Sequence, residues 1–124
     1  MIRIKHFMDA VEPDDGPRAW VEPLGLTRDL RRWCAIDAVL PVLGPPRDLW
    51  EWFDQHPLAY EVFRGCYHEY LDRSGLRPAL WKLARIALTE DVTLLHQGTD
   101  PQRNTATALY EYLNELRAYC TPET

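Results

Sequence analysis

The stretch that most constrains this chain is Asp91 to Leu113, DVTLLHQGTDPQRNTATALYEYL. Val92, Thr93, Leu94 and Leu95 are β-branched or aliphatic and lack the polar alternation of a half-exposed strand, so they fit a sheet covered on both faces. His96, Gln97, Gly98 and Thr99 break that pattern. Asp100 suits a helix N-cap, and Pro101 suits the first helical position, where its missing N–H leaves nothing unpaired. The helix that follows has Ala106, Leu109, Tyr110, Leu113 and Leu116 on its inner face. In a parallel sheet this turn falls at the carboxyl ends of the strands, where open α/β folds hold their ligands.

The chain ahead of this stretch alternates between the two periodicities. Met1 to Phe7 alternates apolar and basic residues and predicts an edge or half-exposed strand. Asp9 to Pro17 is turn-rich, and Arg18 to Val21 can form a second short strand. Thr27 is placed to cap a short helix through Arg31 or Trp33. Ile36 to Leu43 is ambiguous: its β-branched residues suggest a strand, which Pro41 would end or confine to an edge. Arg47 to Phe53 reads as a short aromatic helix. Pro57 to Leu71 reads as a longer one, with Leu58, Val62, Phe63, Cys66, Tyr67 and Tyr70 as its apolar stripe. Pro78 to Leu88 starts again, with Leu80, Trp81, Ala84, Ala87 and Leu88 facing inward. The alternation predicts the α/β class: one three-layer domain over residues 1–124, with a small, mostly parallel sheet flanked by helices. A chain of 124 residues supports one core and not two. Residues 119–124 are expected to fray.

The net charge of −5 is spread without long runs of either sign, so no electrostatic footprint for nucleic acid is present. Arg28, Arg31 and Arg32 read as a solvated helix face. Cys34, Cys66 and Cys120 are odd in number and widely spaced, with no C-x-x-C pair. This argues against a disulfide framework or a structural zinc site, and for buried thiols in a reducing compartment. The N-terminus lacks the apolar run of a signal peptide, and no segment approaches the roughly 18 apolar residues of a membrane span. The expectation is a cytoplasmic protein.

Two clusters are candidates for chemistry. The first is His96, Gln97, Gly98, Thr99, Asp100, Arg103 and Asn104. A strand-to-helix turn gathers free N–H groups and a favourable dipole for a phosphate or carboxylate. In that arrangement the Gln97–Thr99 amides and Arg103 cradle the anion, Asn104 adds a polar contact, and His96 serves as general acid or base. The plainer reading is that Asp100 caps the helix, Arg103 is solvated and His96 donates to a backbone carbonyl. The absence of a Gly-rich phosphate loop favours that one. The second cluster is Glu12, Asp14, Asp15 and Glu22, of which Asp14 and Glu22 are auxiliary acid–base candidates. Asp14-Asp15-Gly16 is also an ordinary turn in which Gly supplies a positive φ, and the turn is the favoured reading. Trp50, Trp52, Phe53 and Tyr60 are able to stack on a ring, although aromatics at this density usually fill a core. His56 and His68 lack metal-ligand spacing. No metal set and no cofactor is identified.

Taken in order, IRIK at Ile2 to Lys5, Pro13-Asp14-Asp15-Gly16 with Arg18, and Ile36-Asp37 with Leu40 and Pro45 form a recognisable series. Leu49, Trp52-Phe53, Pro57, Phe63 and Tyr67 continue it. Val92 to Leu95, Asp100, Asn104 and Glu111-Tyr112-Leu113 close it. The series resembles the bacterial YeaO-like proteins, a domain family of unknown function numbered 488, over nearly the whole chain. The resemblance implies an α/β fold and no stated activity. It also marks this chain as divergent. The family typically reads Asp-Arg-Leu-Trp-Pro-Arg-Gly after the second strand, and here Pro23 and Thr27 stand where the two arginines would be. Arg28 or Arg31 would replace one of them if the loop shifts, and Arg103 stands where the family often has a His. Two functions are therefore expected. One is binding of, or action on, a small anionic ligand, nucleotide-like or phosphorylated, at the sheet's carboxyl edge. The other is a non-catalytic interaction or scaffold protein with a decayed site. The oligomeric state is open, a homodimer included.

Overall fold

The computed structural model describes residues 1–120, the side chain of Cys120 excepted. Four strands, β1 (Ile2–His6), β2 (Arg18–Trp20), β3 (Ala38–Val39) and β4 (Val92–His96), form one sheet in the order β1-β4-β2-β3. Every pairing is parallel. The strand nearest the C-terminus is thus interior to the sheet. All five of its residues are buried, as its unbroken apolar run requires. β1 lies on the sheet's edge with only Ile2 fully buried, which accounts for its alternation of Ile with Arg3 and Lys5. Residues Ile36 to Leu43 resolve into the two-residue β3 followed by a 3-10 turn, Pro41–Leu43. Pro41 ends the strand.

Five helices complete the domain: α1 (Arg28–Trp33), α2 (Arg47–Gln55), α3 (Tyr60–Arg73), α4 (Arg77–Thr89) and α5 (Thr105–Cys120). The larger core joins Ile2, Ala19 and Leu94 from the strands, and Val21 just after β2, to Phe63 and Tyr67 of α3, Leu80 and Ala84 of α4, and Leu109 and Leu113 of α5. The other face is thinner. There Trp20, Ile36 and Leu95 pack with Phe7, Leu26, Cys34 and Val39, while α1 buries none of its own residues. Thr27 Oγ1 caps α1 by accepting from the Leu30 N–H at 3.1 Å.

Several helix expectations are corrected. α3 starts at Tyr60, and Tyr60, Phe63, Tyr67 and Leu71 are its buried residues. Phe63 stacks on Phe53 with ring centroids 4.2 Å apart, and the Tyr67 hydroxyl donates to the Leu43 carbonyl. These contacts set the rotation of the helix. Val62 and Cys66, each one residue before an inward aromatic, are swung out to solvent with Leu58, which is 99% exposed. Cys66 is therefore not a buried thiol, and Cys34 is half-buried. In α4, Leu80, Ala84 and Ala87 are buried but Leu88 is exposed, because Ala87 takes the inward position at that turn. Tyr119 lies within α5. The expectations for the Cys120 side chain and for residues 121–124 lie outside the described residues.

The start of α5 also differs. Asp100 Oδ1 accepts from the Gln102 and Arg103 N–H groups at 2.9 and 3.2 Å, closing a separate turn around Pro101. Asn104 then acts as the cap: its Oδ1 accepts from the Thr107 N–H at 2.8 Å and its Nδ2 donates to the Asp100 carbonyl at 2.9 Å. The helix begins one turn later than Pro101 implied.

A buried ion network ties the first loop to the sheet. Asp15, in the 3-10 turn Pro13–Asp15, accepts from Arg18 Nη1 at 2.8 Å and from Lys5 Nζ at 3.1 Å. Arg18, 1% exposed, also donates to the carbonyls of Phe7, Asp9 and Cys34. Gly16 adopts φ 61° where a Cβ would collide with the Asp91 carbonyl, so this turn demands glycine on two grounds.

Candidate functional site

The carboxyl edge of the sheet opens into a cavity of about 440 Å³. The segment after β4 builds one wall with Gln97, Gly98, Thr99, Arg103 and Asn104, so five residues expected from the sequence do converge. Glu22, two residues beyond β2, forms part of the floor. The opposite wall comes from α2 and the turn behind it: Trp50, Phe53, Asp54, Pro57 and Leu58. This wall was missed apart from the ring-stacking potential of Trp50 and Phe53. The signal was present, since Trp50, Phe53 and Asp54 share one helical face. Nothing local shows that this face meets the residue after β2.

Glu22 is the most constrained group in the cavity, at 2% exposed. Its Oε2 accepts from the Trp50 indole N–H at 2.8 Å, while its Oε1 is buried with no hydrogen-bond partner. Burial pushes the carboxyl above its usual range, against the opposing pull of the Thr105 hydroxyl and the Trp50 N–H. At the rim, Asp100 is held below the usual range, first by the Gln102 N–H, with Arg103 contributing. Arg103 Nη1 stands 3.7 Å from Asp100 Oδ2, both side chains being about half exposed. Asn104 has both ends of its amide engaged in the cap. The cavity thus carries Glu22, Asp54 and Asp100 against the single cation Arg103.

His96 points elsewhere. It lines a second cavity of about 250 Å³ with Lys5, His6 and Asp9, and only Gly98 and Thr99 are shared by the two cavities. The parallel register sets His6 beside His96, with ring centroids 5.6 Å apart and planes at 87°. His96 Nδ1 has no hydrogen-bond partner. Burial, reinforced by His6, moves its pKa below 6.5, against weaker contributions from the Gly98 backbone, Asp9 and Asp100.

Asp14 is not part of either cavity. It precedes β2 at the amino edge of the sheet, where its largely exposed carboxylate lies 3.9 Å from Arg3 Nη2. No shared Asp14–Glu22 site exists, because parallel strands place the two residues at opposite edges. Arg28 and Arg31 do not line this cavity. Arg31 instead donates to the carbonyls of Ile36 and Asp37, at 3.3 and 3.1 Å. Among the described residues no group of three or more His, Cys, Asp or Glu is disposed to hold a metal ion, and no helix is long and apolar enough to cross a membrane.

Fold and site together define a small all-parallel α/β domain with an acidic cavity at its carboxyl edge. The chain belongs to the DUF488-N3i family, described as the inactive DUF488-N3 subclade, whose model matches residues 1–121. It is also similar to uncharacterised proteins of Mycobacterium tuberculosis and Mycobacterium bovis, at 29% identity over 119 residues, covering 91% of this chain and 93% of theirs. No solved structure matches it.

Proposed function

We propose that this protein is a non-catalytic binder of a small ligand, held in the cavity between α2 and the Gln97–Thr105 segment. The observation that carries this reading is Glu22, a buried carboxylate on the cavity floor with one oxygen left without a partner. Buried charges are ordinarily compensated, and an uncompensated one in a concave site is a place for a ligand. The volume lies within the roughly 300–1,000 Å³ of ligand pockets. Absence of catalysis is supported by the family's description as inactive and by the separation of His96 from Glu22 and Arg103. The expected anionic ligand depended on Arg103, which faces Asp100 in a predominantly acidic surround. Charge therefore weighs against it.

The test is a thermal-shift panel of nucleotides, sugar phosphates, dicarboxylates, amines and neutral aromatics, followed by amide NMR. A binder at one hundred times its Kd adds about 2.7 kcal/mol of stability and should move the resonances of Gln97 to Thr105. Binders that leave those resonances unmoved, or turnover of any panel compound, would overturn the proposal.

A second reading, a non-catalytic interaction protein, is favoured by the exposed Leu58, Val62 and Cys66 at four-residue spacing along α3 and its approach. Sedimentation velocity tests it for a second copy of this chain. Concentration-dependent self-association abolished by Leu58→Glu supports that reading, and a monomer at all concentrations removes the homodimer.

A further inference from the structure

We infer that the ligand of the Glu22 cavity carries a cationic nitrogen, an ammonium or amidinium group, on an apolar body. This rests on the cavity reading above and names the chemistry of its occupant. The free Oε1 of Glu22 accepts hydrogen bonds and cannot donate while ionised, so it selects a donor. A charged donor is favoured over a neutral one, because in a site shielded from water a charge-assisted hydrogen bond is about twice as strong.

The surroundings point the same way. Asp54 and Asp100 add negative potential, and the one positive side chain in the lining, Arg103, is 3.7 Å from Asp100. An anion entering here would meet three carboxylates. A cation meets complementary charge and also relieves the desolvated Glu22, which otherwise costs stability. A bare metal ion is poorly served, because the described residues offer no cluster of three or more suitable ligands. The walls suit the remainder of an organic cation. Trp50 and Phe53 present ring surface, Pro57 and Leu58 present aliphatic surface, and an indole face attracts a cation within about 6 Å. The Trp50 N–H donates to Glu22 Oε2 at 2.8 Å, which ties this part of the aromatic wall to the acidic floor.

The inference is tested by NMR titration of the full chain with benzylamine, benzamidine, benzyl alcohol and benzoate. These share one ring and differ in the group presented to Glu22. Benzylamine or benzamidine should shift the resonances of Gln97 to Thr105 and bind at least about tenfold more tightly than the alcohol or the acid. Whichever cation binds more tightly identifies ammonium or amidinium as the preferred group. Glu22→Gln keeps the acceptor for Trp50 but removes the charge, and should erase that preference. Asp54→Asn, at the more exposed lining, gives a second readout independent of the buried site and should weaken the cation by about threefold. Equal binding of benzyl alcohol or benzoate, or an unchanged cation affinity in Glu22→Gln, overturns the cationic assignment while leaving a ligand cavity in place. If neither these probes nor any compound of the wider panel moves Gln97 to Thr105, the cavity reading falls with it.

Discussion

Replacing Asp15 by Asn should cost this domain about 3 kcal/mol, at the lower end of the 3–5 kcal/mol range for losing one partner of a buried pair. The magnitude follows from what is left behind. Arg18 loses the charged acceptor of its Nη1 at 2.8 Å, and Lys5 loses its only buried partner, 3.1 Å away. Arg18 keeps three carbonyl acceptors through Nη2, which limits the damage. The Thr93 hydroxyl bonds to the Asp15 main-chain carbonyl at 2.7 Å, a contact the substitution spares. Set against a total stability of about 5–15 kcal/mol, the loss is large. Urea unfolding at neutral pH, followed by tryptophan fluorescence, should show a lower midpoint with an unchanged slope. The pH dependence checks the cause. Burial raises the Asp15 carboxyl, but the hydrogen bonds from Arg18 and Lys5 outweigh it and leave a net lowering below 3.8. Its contribution is therefore complete above 3.8 and is lost as pH falls through the depressed native value. The gap between wild type and Asp15→Asn should stay constant down to the ordinary carboxylate range and close only below it. A loss under about 1 kcal/mol, the range of an exposed pair, would refute the network's role.

His96 should make the protein acid-sensitive on its own. Its native pKa is lowered, so its contribution is complete above 6.5 and is lost as pH falls through the native value. His96→Gln should flatten the urea midpoint between about pH 7.5 and 5, and an unaltered slope would exclude it as the source. Gly16→Ala should cost at least about 2 kcal/mol, because a positive φ and the Asp91 carbonyl both oppose a side chain. Gly75→Ala, at φ 75° with open space around the Cβ position, should cost about 1 kcal/mol by comparison. Asn104→Ala should cost about 0.5–2 kcal/mol and speed hydrogen exchange in the first turn of α5, whereas the same change at Asp100 should leave that turn protected.

β1 and β4 were legible because each carries one clear signal, whereas β3 lay in the ambiguous stretch Ile36 to Leu43. The unbroken run Val92 to Leu95 reports burial on both faces, and the alternation of Ile2 and Ile4 with Arg3 and Lys5 reports an edge. α3 was harder, since Val62 and Phe63, and again Cys66 and Tyr67, are neighbouring apolar residues on adjacent faces. Periodicity alone gives no phase, and here the stacking of Phe63 on Phe53 decides it. Asp100 and Asn104 are both good caps one turn apart, and the choice between them depends on the turn at Pro101 that Asp100 closes. In the site, the Gln97–Asn104 wall was local and readable. The rest was not. Asp14 and Glu22 are separated by one short strand and end at opposite edges of the sheet, while α2 reaches the cavity only through tertiary packing.

The strand order has a consequence for how the chain is made. β1 hydrogen-bonds to β4 and to no other strand, yet β2, β3 and four helices lie between the two in the chain. β2 and β3 are able to pair as soon as α1 between them is complete, but β2 then waits with its inner edge open. A nascent chain lacking Val92 to His96 therefore exposes two parallel-pairing edges and has nowhere to seat Ile2 and Ile4. The sheet is continuous only once β4 lies between β1 and β2. Closure waits for that insertion.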